Sequence, residues 1–339
     1  MAQRRYNAKI QRAKGLLEIA AAMFDTSLSF ETRRAAERAL QTESRVGYAL
    51  DLALRASPAQ GAKGVSLSFA ADSFCELRWV GEKKISLAWV NPSVAATLAY
   101  RGTGPFRRPL PLRAIAVFPS YDVVGFAVHE SLGISSLTEI RERKIPLRLA
   151  TRETGARAVA ESPTMFTVAA VMQAAGFTLA DLRRWGGKIH SVERPSDPRR
   201  RAAIVGGVVD AVFDEGIKSW GQTALDHGFR YVPIEGAVLK RLARMGYRPS
   251  SLPKSEFRGM KADVQTVDFS GWPMVVHKDM PSDVAYAICE AIAAKRAVLP
   301  TDNFKPLRLA QLCADDAEAP RGLPLHPGAA RFYRERGFL

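Results

Sequence analysis

The sequence predicts an α/β fold in two lobes, with mixed, mostly parallel sheets and an extra helical segment at the amino terminus. The chain has 339 residues, which is more than one hydrophobic core usually holds. Hydrophobic residues make up 47% and charged residues 24%, the average composition of a folded globular protein. From Gly64 onward, short apolar runs alternate with segments of helical periodicity, as α/β proteins require.

Residues 1–60 form the predicted helical extension. Apolar side chains at Ile10, Leu17 and Phe24 share one face of a helix, and a second helix opens near Ser29. The charged and then apolar start imitates a signal peptide, but Glu18 interrupts the apolar stretch. We therefore expect no export signal in the chain as given, and the compartment stays open between periplasm and cytoplasm.

Lobe one is predicted to comprise residues 61–146 and 257–339, with residues 147–256 inserted as lobe two. The two crossings are expected near Pro146 and between Pro253 and Val264. Lobe one has predicted strands at 65–69, 85–90, 112–118, 124–128, 264–269 and 274–277, and helices at 73–80, 92–100, 137–141 and 282–295. Lobe two has predicted strands at 147–150, 189–192, 211–213 and 229–233, and helices at 163–175, 179–185 and 199–205.

The charge balance favours anionic partners. Lys and Arg number 49 against 34 acidic residues, a formal net charge of +15, and a field of that sign attracts anions. The basic groups are short and dispersed, as at 199–201, and lack the interleaved aromatic residues of a nucleic-acid surface, so no nucleic acid is predicted. No run approaches the roughly 18 apolar residues that span a bilayer, so no membrane insertion is predicted.

The cysteines and histidines lack the spacing of catalytic or metal-binding patterns. Cys75, Cys289 and Cys313 are too widely spaced for a zinc site, and the five histidines are scattered singly. The sequence contains no nucleophile elbow, dinucleotide fingerprint or Walker loop. We therefore predict a binding protein without cofactor or metal. Catalysis stays open, because a His and an Asp from different lobes could meet.

Ligand contacts in lobe one are expected where predicted strands end. In open α/β sheets, ligands bind beyond the carboxyl ends of strands, and helix starts there favour anions. Asn91 and Ser93 follow a strand and open a helix, and Ser120 and Tyr121 follow the strand at 112–118. Asn91 as a simple helix cap, and Ser120 with Tyr121 as an ordinary turn, are the alternatives.

Lobe two offers the matching helix start. Ser162 and Thr164 flank a proline at the first helical position, and Arg152 follows a strand, where a guanidinium can bind a carboxylate through two hydrogen bonds. Ser162 as an ordinary cap is the alternative.

Two carboxylates follow the buried strand at 211–213. Asp214 and Glu215 are suited to an ammonium group of the ligand, or to pairing across the lobes on closure. The alternative is that Glu215 serves Lys218 and the next helix.

Six stretches in fixed order, between Val65 and Gly337, carry a resemblance. They read ISLAWV at 85–90, YRGTGPF at 100–106, LRAIA at 112–116, SLGISSL at 131–137, VVDAVF at 208–213 and LHPGA at 325–329. Together they resemble the TAXI family of solute receptors, the binding components of TRAP transporters. The resemblance implies the two-lobed type II periplasmic-binding-protein fold, a small anionic ligand such as a carboxylate or amino acid, a TRAP membrane subunit as partner, and a periplasmic location.

Two features depart from that family. The chain lacks its glycine-rich turn after the first strand, and residues 152–164 replace the turn before the first helix of the second lobe. Two alternatives also stay open: a cytosolic enzyme on the same fold, resembling pyrimidine-precursor synthases or aromatic decarboxylases, which the unpaired cysteines and the lack of an expected export signal favour, and a cytosolic ligand sensor.

Overall fold

The computed structural model describes residues 49–53, 66–70, 73–152, 162–299 and 307–339, together with five residues of the amino-terminal segment. The strands are β1 Ala49–Ala53, β2 Ser66–Ala70, β3 Leu87–Trp89, β4 Leu112–Phe118, β5 Val123–His129, β6 Arg148–Arg152, β7 Lys188–Val192, β8 Ala211–Asp214, β9 Phe229–Tyr231, β10 Pro249–Leu252, β11 Val264–Asp268 and β12 Trp272–His277. The helices are α1 Ser73–Gly81, α2 Ser93–Arg101, α3 Leu137–Glu142, α4 Pro163–Ala175, α5 Leu179–Arg184, α6 Pro198–Val205, α7 Gly221–Asp226, α8 Gly236–Met245, α9 Ser282–Lys295, α10 Leu309–Cys313 and α11 Pro327–Glu335.

The described residues form two compact units. Unit 1 contains those up to Gly102, with Phe106–Tyr121 and Ser270–Leu339. Unit 2 contains Thr103–Pro105 and Asp122–Phe269. The α/β fold class is as predicted.

The units divide elsewhere than the predicted lobe boundaries. The chain leaves unit 1 after Tyr121 and returns after Phe269, whereas the sequence placed the crossings near Pro146 and between Pro253 and Val264. The reason is strand pairing: β5 pairs with β8, β9 and β11, which draws it, α3 and β11 into unit 2. Pro146 and Pro253 do lie in loops, but a loop is not by itself a domain boundary.

Unit 1 is built on the antiparallel sheet β3-β12-β4. Trp89 of β3 donates its indole N–H to the Trp272 carbonyl oxygen of β12 at 3.0 Å, and its ring lies 4.2 Å from that of Phe118. Residues of α9, α10 and α11 pack in the same core. These three strands are buried on both faces, which explains their nearly continuous apolar sequences.

The amino-terminal segment contributes to this core. Arg12, Gly15, Leu16, Glu18 and Ile19 are helical, as predicted, and Leu16 and Ile19 are each 1% exposed. The Glu18 carboxylate, which interrupts the apolar stretch, lies 3.3 Å from the Lys295 ammonium group. The remainder of both predicted helices lies outside the described residues, except that 49–53 is a strand paired antiparallel with β2, not helix.

Unit 2 contains a seven-stranded mixed sheet in the order β10-β11-β5-β8-β6-β7, with β9 also paired to β5. Among the described residues, β6 pairs in parallel with β7 and β8, while the other pairs of this sheet are antiparallel. Mixed sheets were predicted, but the prediction that they are mostly parallel is wrong. The apolar run of β5 is buried on both faces, and such a strand has the same sequence character in either direction.

No helix in the described part of the chain is both long enough and apolar enough to cross a bilayer.

Candidate functional site

The candidate site of unit 2 begins where β6 and β8 end. These strands are parallel neighbours, so their last residues, Arg152 and Asp214, lie at the same edge of the sheet. The Arg152 Nε donates to both carboxylate oxygens of Asp214, at 3.1 and 2.8 Å. One residue earlier, the Thr151 hydroxyl donates to the Phe213 carbonyl oxygen at 2.8 Å and ties the two strand ends together.

Arg152 also holds the next acidic residue. Its Nη2 forms an ion pair with Glu215 Oε1, and its Nη1 donates to the Glu193 carbonyl oxygen at 2.5 Å. Burial lowers the pKa of Arg152, but the charges of Asp214 and Glu215 outweigh this and raise it above its usual value. Arg152 therefore stays charged and positions both carboxylates. A ligand anion on Arg152 would share these contacts or displace them.

Helix α4 brings Thr164 to the same place. Ser162 caps this 13-residue helix by accepting a hydrogen bond from the Met165 amide at 3.4 Å, so the capping alternative for Ser162 holds. The Thr164 hydroxyl lies 3.5 Å from Glu215 Oε1. Four residues predicted from the sequence thus contact one another in unit 2: Arg152, Thr164, Asp214 and Glu215.

Sequence reasoning missed a second arginine. Arg200, from α6, has a fully buried side chain whose Nη2 lies 2.5 Å from Asp214 Oδ2. The contact is an ion pair without hydrogen-bond geometry, and the Arg200 Nε has no hydrogen-bond partner among the described residues. The sequence does not show that the middle residue of the basic run at 199–201 points inward.

Sequence reasoning also missed Asp122. Its carboxylate accepts hydrogen bonds from the Gly216 amide at 3.0 and 3.2 Å and the Val123 amide at 2.8 Å. It also shares a hydrogen bond with the Glu215 carboxyl. Among the described residues, Glu215 contacts Asp122, Arg152 and Thr164.

The pKa values of the Asp122 and Glu215 carboxyls are both raised. Burial, followed by the negative charge of Glu215, raises the pKa of Asp122 well above its ordinary value. Burial also raises the pKa of Glu215, and the Arg152 charge opposes that shift. Two adjacent carboxyls of this kind titrate as a unit.

The predicted residues of unit 1 surround the start of α2. The Asn91 amide donates to the Ser73 hydroxyl oxygen at 3.1 Å, and that hydroxyl donates to the Asn91 carbonyl oxygen at 2.8 Å. Pro92 occupies the cap position and no side chain caps the helix, so the capping alternative for Asn91 is wrong. The Ser93 amide donates to the Ser270 carbonyl oxygen at 3.1 Å.

Ser93 and Ser120 meet the same short segment. The Gly271 amide donates to the Ser120 carbonyl oxygen at 2.8 Å, and Gly271, with φ of +82°, lies directly against the Ser93 hydroxyl. That hydroxyl is buried and has no hydrogen-bond partner among the described residues. Tyr121, the last residue before the chain enters unit 2, is half-buried.

A family model supplies the class of this protein. The model described as the NMT1-like family matches residues 52–337. The match covers most of the chain, and the chain belongs to the NMT1-like family.

Solved structures with similarity to the chain include three bacterial proteins. A Xanthomonas citri protein bound to chloride ion is 13% identical, with a TM-score of 0.38, over 80% of this chain and 84% of that one. A glycine betaine/L-proline-binding protein of an ABC transporter from Borrelia burgdorferi is 12% identical, with a TM-score of 0.38, over 78% and 80% of the two chains. A Prochlorococcus marinus protein in complex with methylphosphonate is 11% identical, with a TM-score of 0.37, over 79% and 84%. Similarity at this level does not transfer a ligand.

Proposed function

We propose that this NMT1-like chain is a solute-binding protein that holds a small organic anion, a carboxylate or an amino acid, between its two lobes. One observation carries the proposal. The carboxyl ends of two parallel strands meet the start of a 13-residue helix in unit 2, and Arg152, Thr164, Asp214 and Glu215 contact one another there. This is the place in an α/β sheet where ligands bind.

The start of α4 favours negative charge on the ligand. The first amides of a helix have no partner within it, and the helix dipole adds a partial positive charge at that end. The Thr164 hydroxyl, 7% exposed, can add a hydrogen bond. The net charge of +15 draws anions toward the protein before any contact is made.

The start of α2 in unit 1 offers a second set of contacts of the same kind. Ser93 opens that nine-residue helix and its hydroxyl has no partner among the described residues. We infer that closure of the lobes brings both helix starts to one ligand, with Asn91, Ser120 and Tyr121 beside the first and Ser162 beside the second.

We further propose that the protein delivers its ligand to a membrane transporter. The resemblance to TAXI receptors supports a TRAP transporter as partner and a periplasmic location. Fractionation of cells tests the location, and a TRAP membrane subunit encoded beside this gene would support the partnership.

Catalysis is the second candidate, and one observation favours it. Carboxyl pairs with raised pKa values, like Asp122 and Glu215, are also how enzymes arrange acid–base chemistry. A binding protein releases its ligand unchanged, so mass spectrometry of the ligand recovered after incubation separates the two functions.

A thermal-shift screen of organic acids and amino acids tests the proposal. A ligand at about 100 times its dissociation constant stabilises the folded protein by about 2.7 kcal/mol, so a few compounds should raise the melting temperature. Thr164→Val should reduce this shift, whereas Thr223→Val on α7 should not. If no compound shifts the wild-type protein, or if the bound compound is turned over, the binding proposal is wrong.

A further inference from the structure

We propose that one edge of unit 2 is a docking surface for a bilayer that contains anionic phospholipid. The edge consists of residues 144–148, 185–188 and 205–210, three loops at the amino ends of β6, β7 and β8, and we call it the basal edge. The candidate ligand site lies at the other ends of β6 and β8. The five residues of β6 separate the two edges by about 13 Å, so a bilayer at the basal edge leaves the ligand site free.

The three loops form one continuous surface. The Lys188 amide donates to the Leu147 carbonyl oxygen at 3.0 Å, which joins the second loop to the first. The Arg148 Nη1 donates to the Gly207 carbonyl oxygen at 2.8 Å, which joins the third loop to the first. The Asp210 carboxylate accepts from the Arg148 amide and from its Nε, both at 2.8 Å. All three loops belong to the part of the chain that the structure describes.

Two apolar side chains protrude from this surface. Val205 is 52% exposed and Val208 is 46% exposed, and they flank two glycines in the third loop. The other exposed large apolar residues of the described chain are in unit 1: Val298, Phe338 and Leu339. A single exposed apolar residue is ordinary, but a pair on one loop that stands among cations indicates a contact surface.

The cations surround this pair. Lys144 and Lys188 are exposed in the first and second loops. Arg201, also exposed, precedes Val205 by four residues and so shares its face of α6. Asp210 is the one acidic residue in the three loops, and it is 9% exposed and already paired within the edge. The exposed charge of the basal edge is therefore positive.

A tryptophan favours a bilayer as the occupant. Trp185 of the second loop is half-buried, with its ring 6.1 Å from that of Phe177. Tryptophan is enriched where membranes meet water, cations near a bilayer attract the phosphates, and apolar side chains enter the interfacial layer. An acidic protein would satisfy the cations but not the protruding valines. The protein would lie on the bilayer and not span it.

Co-sedimentation of the full chain with vesicles tests the proposal. The wild-type protein should sediment with vesicles of equal parts phosphatidylglycerol and phosphatidylcholine, and far less with phosphatidylcholine alone. Added salt should release it, because salt screens exposed charges. Brominated lipids in the same vesicles should quench part of the tryptophan emission, and Trp185→Phe should remove that quenching.

Charge variants locate the surface. Lys144→Gln combined with Lys188→Gln should weaken binding about 25-fold, since each cation lost near an anionic bilayer weakens binding about fivefold. Arg108→Gln combined with Lys278→Gln removes the same charge from exposed positions in unit 1 and should weaken binding by less than about twofold.

A second pair of variants tests the apolar contribution. Val205→Ser keeps every charge and should weaken binding severalfold, whereas Val298→Ser, at a valine of similar exposure in unit 1, should not. All of these side chains are exposed, and thermal melting confirms that each variant folds.

Three results would overturn the proposal. The first is that the wild-type protein does not bind the anionic vesicles. The second is that the unit 1 charge variant weakens binding as much as the basal-edge variant, because binding is then adsorption driven by the net charge of +15. The third is that Val205→Ser breaks up a dimer seen by analytical ultracentrifugation, which would make the edge an interface between two copies. No result here depends on the ligand, so the proposed function is tested separately.

Discussion

Arg152 and Asp214, 62 residues apart in the sequence, share two hydrogen bonds from one nitrogen, at 2.8 and 3.1 Å, because the parallel strands β6 and β8 end side by side. This contact fixes the carboxylates at the edge of the unit 2 sheet. It also means that the buried charges of the site depend on one another for stability.

Replacement of Arg152 should therefore be costly. Arg152→Met removes one of the two arginines that pair with Asp214 and breaks the ion pair of Glu215, and loss of one partner of a buried ion pair costs about 3 kcal/mol or more. Arg184→Met removes an exposed arginine that pairs with Asp181 and should cost less than about 1 kcal/mol. Urea unfolding of both variants measures the difference. If both variants lose the same free energy of unfolding, the buried ion pair stabilises the protein no more than the exposed one.

The raised pKa of Asp122 should appear in the pH dependence of stability. The folded state raises the pKa of Asp122 from its ordinary 3.8, so this group stabilises the fold below that value, and the contribution is lost as pH rises toward the folded pKa. Asp122→Asn removes the charge, and its oxygen can still accept from the Gly216 amide. As pH rises above 3.8, the variant should gain stability relative to wild type, measured by urea unfolding. Parallel pH curves for the two proteins would contradict this.

The cap of helix α6 in unit 2 predicts the opposite pH dependence, because its contribution to stability is lost as pH falls. Asp197 accepts a hydrogen bond from the Arg199 amide at 2.9 Å at the start of α6, and hydrogen bonds from Arg199 lower the pKa of Asp197 to about 2. This contribution is present above the ordinary pKa and is lost as pH falls through about 2. Asp197→Ala should cost about 1 kcal/mol at pH 7, and Asp197→Asn, which keeps the cap, should cost less. If chemical denaturation shows that Asp197→Asn costs more stability than Asp197→Ala, the Asp197 cap does not stabilise α6.

Gly271 tests the packing at the start of α2. An added Cβ would lie 2.3 Å from the Ser93 hydroxyl oxygen and 3.0 Å from Pro320 Cδ, at a φ of +82°. Gly133 also has positive φ, +59°, but an added Cβ there meets nothing within 4 Å. Both alanine variants carry the backbone strain, so Gly271→Ala should cost about 2 kcal/mol more, the typical cost of overpacking. A thermal melt in which the two variants lose equal stability would contradict the close contact.

Much of the fold could be predicted because its signals are local. The strand at 112–118 and the helix at 163–175, with its serine cap, proline start and Gly176 end, match the structure to the residue. The strand β10 was missed, since it begins with Pro249 and is mostly polar and exposed. Helix α8 was missed too, although its apolar residues Val238, Leu239 and Leu242 share one buried face.

The candidate site was predicted only in part, because sequence patterns reveal local structure but not which distant residues meet in the fold. Residues that follow strands or open helices, such as Arg152 and Thr164, can be found from the sequence. Asp122 and Glu215 lie 93 residues apart and meet only because β5 and β8 pair, a register that no local pattern specifies. The inward direction of Arg200 likewise depends on where α6 packs.

The central claim is that one small anion is held by two helix starts, one in each unit. Hydrogen–deuterium exchange of the protein, free and saturated with the tightest compound from the screen, tests this most directly. The account predicts slower exchange in both segments, around Ser93 and around Thr164, in the saturated protein. Protection at neither segment, or at only one of them, would contradict it.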